Sequence, residues 1–224
     1  MQLINKNMKI DVGVLTSALK ARKTIKRRFR FPVTQEQAYD LLLASVQAEV
    51  EFRHRTFVLD DFTRHNISAS ASCLTAENPK FGLIMCGTCG NGKTTLLNAI
   101  QSVANYLNDF DYMEDNTGIQ ILDAKEVAII FKDAKAFDRI RKRDCLALED
   151  IGRESAEILD YGNVLSPITD LLEYRYNAQL FTFITTNLTP KEIREKYGIR
   201  IADRFNEMME VIVFENNSYR NKIL

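Results

Sequence analysis

The stretch "MCGTCGNGKTT", residues 85–95, constrains this chain more than any other. Within it, Gly87-Thr88-Cys89-Gly90-Asn91-Gly92-Lys93-Thr94 satisfies G-x-x-x-x-G-K-[ST], a pattern that needs a strand before it and a helix after it. Glycines let the backbone curl until its N–H groups converge on phosphate oxygens, and the helix that follows directs its positive dipole end at the same charge. Lys93 can reach the outer phosphates of a nucleotide, the Thr94 hydroxyl can ligate Mg2+, and Thr95 completes the phosphate-binding set. Cys86 and Cys89 also form a C-x-x-C pair, spaced like a redox dithiol or half a metal site. In dithiol motifs the first cysteine precedes a helix that lowers its pKa; here the helix starts only after Lys93, and a phosphate loop already accounts for every glycine.

The flanks supply the required context. "FGLIMCG" (81–87) is a short apolar run ending in glycine, as a buried strand should be, and "TTLLNAIQSVANYLNDF" (94–110) has helical spacing through Leu97, Ile100, Ala104 and Leu107. Four more strands are expected at "GIQILD" (118–123), "CLALED" (145–150), "LFTFITT" (180–186) and "VIVFE" (211–215). Between them, Asp123 with Glu126 starts the helix "AKEVAIIFKDA", Ser166 and Pro167 open "SPITDLLEYRYNA", and Thr189, Pro190 and Glu192 open a helix that Gly198 ends. Upstream, Thr34 and Gln37 form a capping box for a helix over 35–52, and a weaker helix runs through "FTRHNISASASCLTA". Five short apolar strands alternating with helices predict an α/β fold, with a mostly parallel sheet covered on both faces.

At 224 residues and 46% hydrophobic content, the chain can bury one substantial core. No apolar run reaches the ~18 residues that span a bilayer, so the expectation is a cytoplasmic protein with no membrane partner. With His54 and His65 the only histidines, a structural zinc site has few candidate ligands, and the four cysteines are expected to be reduced thiols. The formal charge is zero, but it is unevenly placed: residues 1–70 carry 12 cations against 7 acids.

A phosphate loop needs a metal-positioning acid at the tip of a neighbouring strand, and "LALED" supplies Glu149 and Asp150. One acid would hold the Mg2+ water shell, with Thr94 and Glu149 on the metal side; the other, Asp150, would orient or deprotonate an attacking water. The next strand ends in Thr185-Thr186-Asn187, where an amide can sense the γ-phosphate.

Taken in order, these stretches resemble the AAA+ ATPases, specifically the DnaC/IstB-type branch of replicative helicase loaders and transposition helpers, over roughly residues 60–220. "GTCGNGKT" is similar to that branch's Walker A, "LALEDIG" to its Walker B, "RYNAQLFTFITTNLT" to its sensor 1 region, and "YGIRIADRF" to its arginine box. The resemblance implies a P-loop NTPase with sheet order 5-1-4-3-2, ATP bound between self-associating subunits, and Arg204 as the arginine finger, with Arg200 as the alternative. It also implies division into an N-terminal partner- and DNA-binding region (1–56) and an ATPase domain (57–224). Two departures stand out. The family writes its Walker B as Asp-Glu or Asp-Asp, whereas here it is Glu149-Asp150, which predicts slow hydrolysis. About nine residues follow the fifth strand, so no C-terminal helical lid is expected.

No Asn-Lys-x-Asp guanine signature is present, which favours ATP. Three uses of the nucleotide follow. The first is a DnaC-like helicase loader in DNA replication, or an IstB-type transposition helper, oligomerising on single-stranded DNA and delivering a helicase or a transposase. Its sequence support is the cation run Lys20, Arg22, Lys23, Lys26, Arg27, Arg28 and Arg30, interleaved with Phe29 and Phe31, plus Arg139, Arg141, Lys142 and Arg143. The second is a small-molecule or nucleotide kinase, which needs an arginine-rich lid that does not stand out after residue 160. The third is a module that holds ATP as an assembly cofactor and barely hydrolyses it.

Overall fold

The computed structural model describes residues 11–21, 28–77, 79–109, 118–154, 158–160 and 163–221. Its centre is a five-stranded parallel sheet made of β1 (Gly82–Gly87), β2 (Gln120–Asp123), β3 (Cys145–Ile151), β6 (Phe181–Thr186) and β7 (Glu210–Phe214). The spatial order is β2-β3-β6-β1-β7, which is the expected 5-1-4-3-2 when the sheet strands alone are counted. A separate antiparallel hairpin, β4 (Ile158–Asp160) with β5 (Asn163–Leu165), was not anticipated. Its strands are too short to carry a hydrophobic period of their own.

Strict alternation along each strand divides the apolar side chains between two cores. Leu83, Met85, Ala147 and Phe183 pack with Leu42 and Val46 of α2 (Gln35–Phe52), Ile67 and Leu74 of α3 (Asp61–Thr75), and Leu97 and Ile100 of α4 (Lys93–Asp109). Ile84, Leu146, Leu148 and Ile184 face the other way, against α5 (Ala124–Ile130), α6 (Ala134–Arg141), α7 (Pro167–Asn177) and α8 (Pro190–Met208). Both faces are therefore covered, which is why the strands read as nearly continuous apolar runs.

The capping chemistry forms as the sequence writes it. Thr34 with Gln37, Asp123 with Glu126, and Thr189 with Glu192 each make both reciprocal bonds of a capping box. Ser166 precedes α7 but its side chain makes no cap bond, so Pro167 at the first turn is what marks that start. Two helices differ from expectation. The segment after β2 breaks at Phe131–Asp133 and resumes as α6, with Asp133 accepting from Lys135 and Ala136 N–H. Gly198, at φ 84°, interrupts α8 rather than ending it, so the helix kinks there and continues to Met208.

The basic segment before α2 departs furthest from expectation. Residues 22–27 of the cation run lie outside the described residues. Phe29 and Phe31, read as aromatics interleaved for nucleic acid, are instead core residues, 8% and 0% exposed, and Phe29 packs on Phe181 and Phe183 with ring centroids 5.2 and 5.8 Å apart. Burial of two phenyl rings outweighs any surface role for them. Further upstream, α1 (Val12–Ala21) was unforeseen and buries none of its residues. Among the described residues, no helix is long and apolar enough to cross a membrane.

Candidate functional site

The C-terminal ends of β1, β3 and β6 converge at the start of α4. Gly87, Gly90 and Gly92 all take positive φ, at 149°, 81° and 102°. At Gly90 the requirement is also steric, since a Cβ would lie 2.3 Å from Ser218 Oγ. Lys93 opens α4 and is 5% exposed. Its ammonium donates to Gly87 O (2.8 Å), Thr88 O (2.7 Å), Asn91 Oδ1 (3.0 Å) and Asn187 Oδ1 (2.8 Å). Burial holds its pKa below the ordinary lysine value, an effect partly opposed by the charge of Asp150.

Several other sequence-predicted residues lie around this lysine. The Thr94 hydroxyl donates to Glu149 Oε1. That contact brings together the two groups expected to share a divalent cation, and hydroxyl plus carboxylate oxygen is the donor set that Mg2+ prefers. Asp150 adopts φ 56° and its Oδ2 pairs with Arg153 Nη1 at 2.6 Å. Asn187 lies between Lys93 and Cys89, its Nδ2 3.7 Å from Cys89 Sγ. Asn91 is buried and donates to Phe214 O at 3.1 Å, fastening the phosphate loop to β7. Thr95 is reached by Arg53 from the end of α2, at 3.3 Å. Lys93, Thr94, Glu149 and Asn187 thus form one constellation fit for a phosphate chain with its cation.

The cysteines take no part in it as a dithiol. All four are free, Cys89 is exposed, and burial pushes the Cys86 thiol up to about 11, the opposite of a reactive thiol.

Arg204 and Arg200 lie elsewhere, on the second half of α8. Arg204 Nη1 stands 3.1 Å from Glu173 Oε1, an ion pair without hydrogen-bond alignment, and its guanidinium stacks over Tyr176 at 4.8 Å. Its side chain is 17% exposed, whereas that of Arg200, 3.7 Å from the same carboxylate, is 74% exposed.

Several contributors were invisible in the sequence. Asn216 Nδ2 donates to Asn91 O at 3.0 Å, and Tyr219 N–H donates to Gly90 O at 2.9 Å, so the residues after β7 strap the outside of the phosphate loop. Tyr219 OH in turn donates to Asp60, the N-cap of α3, at 2.9 Å. Thr185 Oγ1 accepts from Asp150 N–H at 2.9 Å. Only the Thr185-Thr186-Asn187 triplet hinted at any of these. Among the described residues, Arg139, Lys142 and Arg143 are exposed; Asp138 holds Arg141 and Lys142 at 2.6 Å each, and those cations keep its carboxyl below the usual range.

Solved structures with this fold include replication proteins. The crystal structure of the DnaC helicase loader superposes with a TM-score of 0.56 at 19% identity, covering 79% of this chain and 99% of that one. DnaI gives 0.53 at 24% identity over 82% of this chain and 98% of the other. Replication initiator DnaA bound to AMPPCP and single-stranded DNA gives 0.51 at 16% identity over 72% and 49%. No family model and no curated protein sequence matches the chain. At these identities the likeness is one of fold: this chain shares the α/β architecture of these solved proteins.

Proposed function

We propose that this protein is an ATP-binding and slowly hydrolysing AAA+ ATPase that acts on DNA as a replicative helicase loader. The observation that carries the reading is the convergence on Lys93: one buried ammonium touches the phosphate loop and the sensor amide of Asn187, while Thr94 and Glu149 meet beside it. Buried ammonium groups persist where an anion is to be met, and here the surrounding acceptors are all neutral. ATP would lie across Gly87–Thr95 with its outer phosphates at Lys93.

Each residue then has a task. Lys93 would exchange its carbonyl partners for phosphate oxygens, Thr94 and Glu149 would hold Mg2+, and Asn187 would bind the γ-phosphate or the attacking water. Mg2+, when bound, supplies charge neutralisation of the outer phosphates. Asp150 would orient the water and take its proton. A carboxylate one methylene shorter than glutamate, already paired with Arg153, is a weak base for that work, consistent with slow turnover.

The finger from a neighbouring subunit is assigned to Arg204, with Arg200 as its alternative, and self-association would complete the site. For the DNA partner, the proposal relies on exposed cations at Lys20, Arg28, Arg30, Arg139, Lys142 and Arg143. Residues 1–56 are assigned to the helicase, with Val12, Leu15 and Leu19 exposed on α1. The test is single-stranded DNA binding with and without ATP, titrated with salt. Binding should need ATP and fall steeply between about 50 and about 200 mM salt. ATP-independent or salt-insensitive binding would sink the reading. A pull-down with and without residues 1–21, a deletion that spares the core residues Phe29, Phe31, Leu42 and Val46, separates a helicase partner from a transposase by the protein lost.

A further inference from the structure

Alternation along β3 sends Cys145 and Ala147 towards α2–α4 and Leu146 and Leu148 towards α5–α8. Continued without a break, it would put Glu149 on the α4 side, where Thr94 stands. It would also drive Asp150 into the apolar core beneath α7 and α8 and turn Ile151 out of that core.

The chain avoids this with one extra residue. Register runs to Leu148↔Ile184 and resumes at Ile151↔Thr186, so Glu149 and Asp150 together face a single residue of β6, Thr185. This is a β-bulge, and Asp150 at φ 56° takes up its left-handed turn. Ile151 returns to the core, 1% exposed, and both carboxylates stay at the rim.

A bulge leaves a backbone N–H without its ladder acceptor, and a part-buried N–H needs another. Asp150 N–H finds it in Thr185 Oγ1, on a side chain with no exposed surface. Thr186 secures the next rung: its hydroxyl donates to Ile151 O at 2.8 Å and accepts from Leu188 N–H at 3.0 Å, bracketing Asn187. From the solvent side, Arg153 N–H donates to Asp150 O at 3.2 Å while its guanidinium holds the carboxylate.

We propose that Thr185 is a positioning residue for ATP hydrolysis, acting through the Asp150 backbone to aim that carboxylate at the γ-phosphate end of the site. The inference rests on the ATPase reading above and adds to it. Thr185 touches no part of the phosphate loop's own hydrogen-bonding set, so its loss acts on turnover and not on nucleotide capture.

The experiment compares wild type, Thr185→Val and Thr185→Ser in steady-state ATP turnover with single-stranded DNA, beside hydrogen exchange at the Asp150 amide. Valine keeps the shape and removes the acceptor. It should lower kcat on the order of 10- to 100-fold, with KM for ATP within about twofold, and should deprotect Asp150 N–H. Serine should restore kcat to within about threefold of wild type. Wild-type kcat in the valine variant, KM rising in step with the loss, or failure of serine to rescue each overturns the role of Thr185. Absence of turnover in wild type, with the amide protected, instead refutes the hydrolase reading and takes Thr185's catalytic role with it. Should valine prevent folding, the serine variant with an unshifted Asp150 amide but reduced kcat overturns the proposal.

Discussion

Lys93 Nζ and Asn187 Oδ1 are 2.8 Å apart, so the cation of the phosphate loop and the amide at the tip of β6 hold one another across the sheet. That bond can persist when phosphate binds, because Lys93 would meet it with protons now given to Gly87 O and Thr88 O, and Asn187 would donate to it from Nδ2. Lys93→Ala should abolish ATP binding, since no other group in the loop carries charge. Asn187→Ala should leave the dissociation constant for ATP near wild type and slow turnover by about 10²-fold, as removal of a single preorganised donor does. Isothermal titration and steady-state kinetics on both variants check this; equal losses of binding in the two would show that Asn187 serves capture and not turnover.

The two cysteines of the phosphate loop should respond differently to alkylation. Burial places the Cys86 thiol at about 11, so its reactive thiolate is scarce at neutral pH and grows about tenfold per pH unit until that value is passed. Cys89 is exposed beside Asn187. Iodoacetamide at pH 8 should therefore label Cys89 first, and ATP should slow that labelling alone. Peptide mapping by mass spectrometry reads both sites; rates for Cys89 that ignore ATP would remove it from the nucleotide's neighbourhood.

Arg175 should prove one of the more costly side chains to replace. It has no exposed surface, and it donates to Thr182 Oγ1 (2.8 Å), Phe181 O (2.5 Å), Arg143 O (2.7 Å) and Arg141 O (3.2 Å). Burial lowers its pKa to about 10, still above neutrality, so the group remains charged, with each of its three nitrogens hydrogen-bonded. Arg175→Met strands several buried acceptors at once and should cost about 3 kcal/mol. A fall in urea midpoint at unchanged slope measures it; a midpoint like wild type would mean the carbonyls find water.

Arg204 begins from a closed posture. Its pairing with Glu173 and its stacking on Tyr176 would have to give way for it to serve as the proposed finger in a neighbouring subunit. Glu173→Gln should therefore raise assembly-dependent ATP turnover about two- to fivefold, the scale of a partly exposed ion pair. Arg204→Ala should remove that stimulation and Arg200→Ala should keep most of it. The reverse pattern between the two arginines would transfer the finger to Arg200, whose side chain is already in solvent.

Much of this arrangement was written locally and could be read. The capping boxes at Thr34, Asp123 and Thr189 depend on two residues each, three apart, and all formed. The sheet strands are buried on both faces, which leaves an unmistakable apolar run, and the phosphate loop announces itself through its glycines. What escaped was non-local. Phe29 and Phe31 sit among arginines in sequence, and nothing nearby says that Phe181 and Phe183 wait for them. The bulge at Asp150 arises from a mismatch in register between β3 and β6, a property of the pair that neither strand carries alone. Arg175 looks like an ordinary surface cation on a helix until its bonds to the ends of α6 and β6 are seen.

The place of β1 inside the sheet, one strand from its edge, has a consequence for how the protein comes into being. Its partners are β6 and β7, so Leu83 pairs with Phe183 on one side and Glu210 on the other. A chain emerging from the ribosome therefore carries its nucleotide loop for a long time without either neighbouring strand, and these distant pairings belong to the slow end of folding. Nucleotide capture would then wait until both neighbouring strands are in place, which would make ATP affinity a reporter of completed assembly of the sheet itself.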